Sequence, residues 1–161
     1  MFISKNEPDN FGWHDAEIKK ITYENEDMIW KVDALNVLSS NSQNPKEFDC
    51  CVSTADVIFK KFNIKNIKQY GFKKYQYGKL IEEQSDRVLS LEEISELLEE
   101  LSIDTDETYI AYIYAVESCL DEQGVHISCE VDLMTGEDSD VCFEILCDEL
   151  IVKWNEFLGK P

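Results

Sequence analysis

Between Tyr109 and Trp154 the chain reads as four consecutive β-strands, joined by turns too short for a crossover, so neighbours must pair antiparallel. Val125, Ile127, Cys129, Val131 and Leu133 alternate with His126, Ser128, Glu130 and Asp132. That period of two marks a strand with one buried face. The turn Asp121-Glu122-Gln123-Gly124 precedes it and Thr135–Asp140 follows. Val141, Phe143 and Ile145 lead through Cys147-Asp148-Glu149 to Leu150, Val152 and Trp154, a further hairpin. Tyr109–Cys119 is nearly all apolar, which predicts a strand central in its sheet.

Residues 16–37 predict another hairpin. A polar Glu24-Asn25-Glu26-Asp27 turn leads into Met28, Trp30, Val32 and Ala34, alternating with Ile29, Lys31, Asp33 and Leu35. A third strand is expected from Cys50 to Phe59. In the lysine-rich stretch 60–79, Ile64, Ile67 and Tyr70 fit a short helical turn, and the rest reads as loop or short strand. The sharpest local expectation is a helix over 91–101. Ser90 and Glu93 stand at capping-box spacing, and Leu91, Ile94, Leu97, Leu98 and Leu101 form one apolar stripe. Such a stripe needs a sheet to cover it. The pattern therefore predicts an α+β fold: a meandering antiparallel sheet with one main amphipathic helix packed on it. With no internal repeat and no splitting linker, residues 1–161 read as one acidic domain.

The charge is unevenly placed. The chain carries 34 acidic and 15 basic residues, a net of −19. Residues 1–80 hold 12 Lys against 11 acids, whereas residues 81–161 hold Arg87, Lys153 and Lys160 against 23 acids. The negative surplus thus lies wholly in the second half. Duplex DNA and anionic membranes are polyanions, so neither is an expected partner. No apolar run reaches the length of a membrane span, and Met1–Pro8 has no apolar signal core, which together predict a cytoplasmic protein. Six cysteines without a Cys-x-x-Cys pair, and only two histidines, predict reduced and mostly buried thiols rather than a zinc site.

Catalytic motifs are missing. The sequence contains no G-x-G-x-x-G, P-loop, G-x-S-x-G or H-E-x-x-H pattern. The acidic loops at 104–107 and 137–140 lack the glycine and distal glutamate of an EF-hand. No cofactor or metal is expected. At Trp13-His14-Asp15, neighbours in an extended segment point to opposite sides, so His14 and Asp15 should not act together. Asp15 is expected to turn the backbone, with Trp13 covering one end of the core.

The helix offers the clearest functional candidate. Glu92, Glu93, Glu96, Glu99 and Glu100 line its polar face. Glu92–Glu96 and Glu96–Glu100 are like-charge pairs four residues apart, each costing about 0.2–0.5 kcal/mol in an isolated helix. Glu99 and Glu100 also lie near the C-terminus, where the helix dipole favours cations. Glu93 has a capping purpose; the others work against local stability, as residues kept for binding do. Together with Asp104, Asp106, Glu107, Glu137, Asp138 and Asp140 they form the expected contact surface for a basic protein partner. Nucleic-acid-degrading enzymes are such partners, because their clefts must be positive. Two other readings stay open. One is an enzyme built on scattered carboxylates and a divalent metal. The other is a module whose Lys/Tyr/Phe stretch at 60–79 contacts an acidic or single-stranded partner.

Two stretches carry a resemblance. Phe11-Gly12-Trp13-His14-Asp15-Ala16-Glu17-Ile18, running into an alternating hairpin, and the ending from Phe143 to Lys160 resemble small bacterial immunity proteins of polymorphic-toxin and contact-dependent growth inhibition systems. The resemblance implies a single acidic α+β domain that binds and neutralises a cognate toxin without catalysis. It assigns no binding residue, and monomer and homodimer both stay open.

Overall fold

The computed structural model describes residues 1–103, 109–134 and 140–161. In chain order the strands are β1 (Phe2–Lys5), β2 (Phe11–Gly12), β3 (Glu17–Glu24), β4 (Asp27–Asp33), β5 (Asn36–Val37) and β6 (Cys50–Val52). Next come β7 (Ala55–Lys60), β8 (Asn63–Gln69), β9 (Phe72–Gln76), β10 (Lys79–Gln84) and β11 (Arg87–Val88). After helix α1 (Leu91–Ser102) follow β12 (Ala111–Asp121), β13 (Gly124–Leu133), β14 (Asp140–Cys147), β15 (Glu149–Trp154) and β16 (Phe157–Gly159). Among the described residues the architecture is mostly antiparallel sheet with one α-helix, and so more sheet-dominated than the sequence pattern suggested.

The main sheet runs β1-β15-β7-β4-β3-β12-β13-β14-β8-β11. It is a meander from β12 to β14 and from β3 to β4, but not elsewhere. β7 and β8 stand six steps apart in that order, yet only Lys61 and Phe62 join them. Six steps in a flat sheet would span roughly 29 Å, whereas this connection reaches about 11 Å. The link from β14 to β15, again six steps, is the single residue Asp148. The sheet must therefore curl until these strands face each other. The two crossings touch: the backbone N–H of Asp148 donates to the carbonyl of Lys60 at 2.9 Å. Strand twist supplies the curl, and the apolar faces close on one another.

The interior is where the alternating residues meet. Trp30 on β4 lies with its ring centroid 5.9 Å from Phe143 on β14 and 4.9 Å from Phe59 on β7. Met28, Val32, Ile113, Ile127, Val131 and Ile145 are all buried around them. The small sheet β16-β6-β5-β2 adds an aromatic cluster. There Trp154 meets Phe2 at 5.6 Å, Phe11 at 6.0 Å and Phe157 at 5.8 Å. Trp13 is buried as expected, its Nε1 donating to the Pro8 carbonyl at 2.7 Å.

Four expectations need correction. Residues 50–59 are two strands in two sheets, because the chain breaks at Ser53-Thr54. There the Ser53 hydroxyl accepts N–H bonds from Asn155 and Glu156. Residues 64–70 are not helical. Ile64 and Ile67 pair with Ile145 and Phe143, and a bulge that leaves Lys65 unpaired turns both isoleucines inward. Their spacing of three comes from that bulge. Tyr109–Cys119 is only half central: β12 pairs with β3 at Ala111 and Tyr112 alone, and its ladder with β13 shifts register between Ile113 and Ala115. Ala34 adopts a left-handed turn at φ 55° and is exposed, so the inward position passes to Leu35.

Candidate functional site

Helix α1 forms as its capping box dictates. The Ser90 hydroxyl accepts from the Glu93 N–H at 3.3 Å, and the Glu93 carboxylate accepts from the Ser90 N–H at 2.7 Å. Arg87 Nη1 donates to the other Glu93 oxygen at 2.6 Å. The Ser90 N–H and then Arg87 hold the Glu93 carboxyl down at about 2, against an ordinary 4.5. Ile94 and Leu101 are buried, and Leu97 and Leu98 pack partly against the core. Leu91, expected in the apolar stripe, is instead 83% exposed, so only the later turns press on the sheet.

The polar face points to solvent. Glu92, Glu96, Glu99 and Glu100 are exposed, and none forms an ion pair with a described residue. No basic residue occupies the last turn. Many of the lysines are engaged elsewhere. Lys5 meets Glu149 at 3.1 Å, Lys31 meets Asp56 at 3.1 Å, Lys61 meets Asp148 at 3.3 Å and Lys68 meets Asp86 at 2.9 Å. Lys60 holds Asp27, and Lys73 holds Glu83 at 3.0 Å. Most of the basic stretch thus pairs with its own neighbours, and among the described residues no lysine pairs with the helix's exposed glutamates.

Of the other expected contact residues, Asp104, Asp106, Glu107, Glu137 and Asp138 lie outside the described residues. Asp140 opens β14 opposite Asp132. The charge of Asp132, then desolvation and the charge of Asp140, push the Tyr114 hydroxyl above its ordinary value. Asp140 therefore belongs to the outer face of β12–β14, and among the described residues only Glu92, Glu93, Glu96, Glu99 and Glu100 share one element.

The same outer face carries a grouping the sequence reading did not assemble. Alternate residues of β13 and β14 and the bulged β8 line a groove of about 410 Å³, including Lys65, Tyr70, His126, Ser128, Glu130 and Glu144. Ser128 donates to Glu144 at 2.8 Å and stands 3.2 Å from the Cys142 sulfur; Tyr70 donates to Glu130 at 2.7 Å. His126 Nε2 lies 3.0 Å from a carboxylate oxygen of Asp121. The alternation of 126, 128 and 130 was legible, but their neighbours across the strands depend on register. Burial pushes the Cys142 thiol up, and the Glu130 carboxylate does the same to Tyr70. The groove thus offers hydrogen bonds and charge but holds these two groups protonated, the opposite of an activated nucleophile.

At His14-Asp15 the expectation of opposed side chains fails. Asp15 turns the backbone as anticipated, at φ 67°, but the turn brings its carboxylate 2.9 Å from His14 Nδ1. Both side chains are largely exposed, so the pair contributes little. Among the described residues no three His, Cys, Asp or Glu side chains gather as metal ligands, and all six cysteines are free. Among the described residues no helix is long and apolar enough to cross a membrane. Comparison of the chain with protein-family models, with curated proteins and with solved structures finds no match.

Proposed function

We propose that this chain is a non-catalytic, immunity-type binding protein that captures a basic protein domain, such as a nuclease toxin, on the acidic face of α1. One observation carries the reading: Glu92, Glu96, Glu99 and Glu100 stand exposed and without ion pairs among the described residues, while Lys60, Lys61, Lys68, Lys73 and Lys74 are paired away from them. A one-signed surface attracts an oppositely charged partner and speeds encounter, and it could fill the positive cleft of a nucleic-acid enzyme. The Lys/Tyr/Phe alternative loses support, because Lys60, Lys61, Lys68, Lys73 and Lys74 are paired with carboxylates.

The test is affinity capture from the source cells with wild-type and Glu96→Lys/Glu100→Lys bait at low and high ionic strength. A basic protein retained at low salt, released at high salt and missed by the variant supports the reading. Recovery of no basic protein at low salt overturns it.

A further inference from the structure

We propose that the β9–β10 ribbon is a self-association surface, packing face to face against the same ribbon of a second copy of this chain. β9 and β10 pair only with each other, and residues 73–83 are exposed throughout. A lone two-stranded ribbon is marginal in water; stability needs further strands or a covering layer. Yet this ribbon is carefully built. At its neck a Cβ on Gly71 would stand 2.1 Å from the Gln84 carbonyl, so only glycine lets the strands approach. The Gly71 N–H donates to Asp86 at 2.8 Å, and Asp86 in turn holds Lys68. At the tip Tyr77 and Gly78 have φ of 51° and 76°, the two left-handed residues of a tight hairpin turn. Lys73–Glu83 and Lys74–Glu82 form rungs between.

Between its ion pairs the ribbon shows large apolar side chains to solvent. Tyr75, Tyr77, Leu80 and Ile81 are 60%, 97%, 47% and 54% exposed, and Val88 and Leu91 follow at 63% and 83%. Large exposed side chains so concentrated mark a contact surface. Charge selects the occupant. Residues 72–84 hold three lysines and two glutamates, so the ribbon is +1 and the other residues together are −20. A basic partner is drawn to α1, not to this ribbon. Two copies repel through their acidic second halves, so they approach most easily through the near-neutral first half, and the ribbon is its exposed apolar part.

Face packing suits it better than edge pairing. Lysines 73 and 74 guard the β9 edge, and the bulge between Leu80 and Glu82 disrupts β10. Tyr75 pairs across the ribbon with Leu80, and Lys73 with Glu83 on the same face. A two-fold axis would set each apolar pair and each ion pair against its own copy, the self-complementarity an isologous contact requires. The contact is small, so the dimer is weak.

Sedimentation velocity on the full chain and on a Tyr75→Ser/Leu80→Ser variant, at two salt concentrations, tests this. The expected result is a monomer–dimer equilibrium with a roughly micromolar dissociation constant. It should tighten as ionic strength rises from about 0.05 to about 0.5 M, because screening relieves the repulsion between the acidic halves. The variant should dissociate at least about tenfold more readily. Hydrogen exchange on wild type should show residues 72–84 gaining protection with protein concentration, which needs no variant at all. A monomer at every concentration up to about 0.1 mM in high salt overturns the proposal, given the micromolar expectation. So does a dimer that survives the substitutions, or one that salt weakens, which would make α1 of the second copy the occupant. Salt must weaken the toxin contact and strengthen this one, so the two readings fail separately.

Discussion

Arg87, the chain's one arginine, donates from Nη1 to Glu93 at 2.6 Å, so it anchors the start of the acidic helix and not any external anion. Glu93 shares its other oxygen with the Ser90 N–H, and these contacts hold its carboxyl at about 2. A carboxyl lowered by folding stabilises the native state fully above its unfolded value of 4.5, and that contribution is lost as pH falls through about 2. Thermal melts followed by circular dichroism should show this loss between those limits, and Glu93→Gln should abolish that part of the pH dependence. Ser90→Ala should cost about 1 kcal/mol at neutral pH.

Gly71→Ala should open the ribbon neck. The new methyl would meet the Gln84 carbonyl at 2.1 Å and backbone atoms of Ser85 and Asp86 at 2.6 and 2.7 Å. Backbone cannot yield as a side-chain end can, so about 1–3 kcal/mol of local overpacking is expected. Amide exchange should speed up across residues 72–84 while β4, β7 and β13 keep their protection, since the ribbon pairs with neither sheet.

The elements that sequence made legible are those whose period matched their final burial. β13 alternates without a break from Val125 to Leu133, and α1 carries cap, stripe and acidic face within twelve residues. Bulges and turns hid the rest. At Lys65 an extra residue turned a strand into an apparent helical spacing, left-handed turns at Ala34 and Asp15 broke the alternation, and β12 leaves β3 after Tyr112 within one apolar run. The groove stayed hidden for a related reason: Ser128 meets Glu144 only through the register of β13 on β14. The acidic face could be found because an α-helix gathers residues close in sequence.

Cysteine reactivity should follow burial. Cys119 is exposed at the outer end of β12, whereas Cys129, Cys142 and Cys147 are buried. Desolvation pushes the Cys147 thiol up to about 12 and raises Cys129 and Cys142 as well. Timed alkylation at mildly alkaline pH, read by peptide mass spectrometry, should label Cys119 first. Cys129 and Cys147, which face the packed core, should lag by more than about a hundredfold, because their reaction waits on opening of the sheet. Equal rates would mean the strands open far more often than the core packing implies.

Glu96→Lys separates stability from binding. Glu96 sits four residues from both Glu92 and Glu100 on the exposed face. Lysine there turns two repulsions into two attractions, each worth a few tenths of a kcal/mol in either sense, so the helix should gain about 1 kcal/mol. For a chain of this size the melting temperature should rise by about 2–4 °C. If the face exists to hold a basic partner, the same change should weaken capture and flatten its salt dependence. A more stable variant that binds less would explain why a glutamate is retained where a lysine fits better. A more stable variant that binds as before would leave the acidic face with no task beyond solubility, and the proposed function would fall.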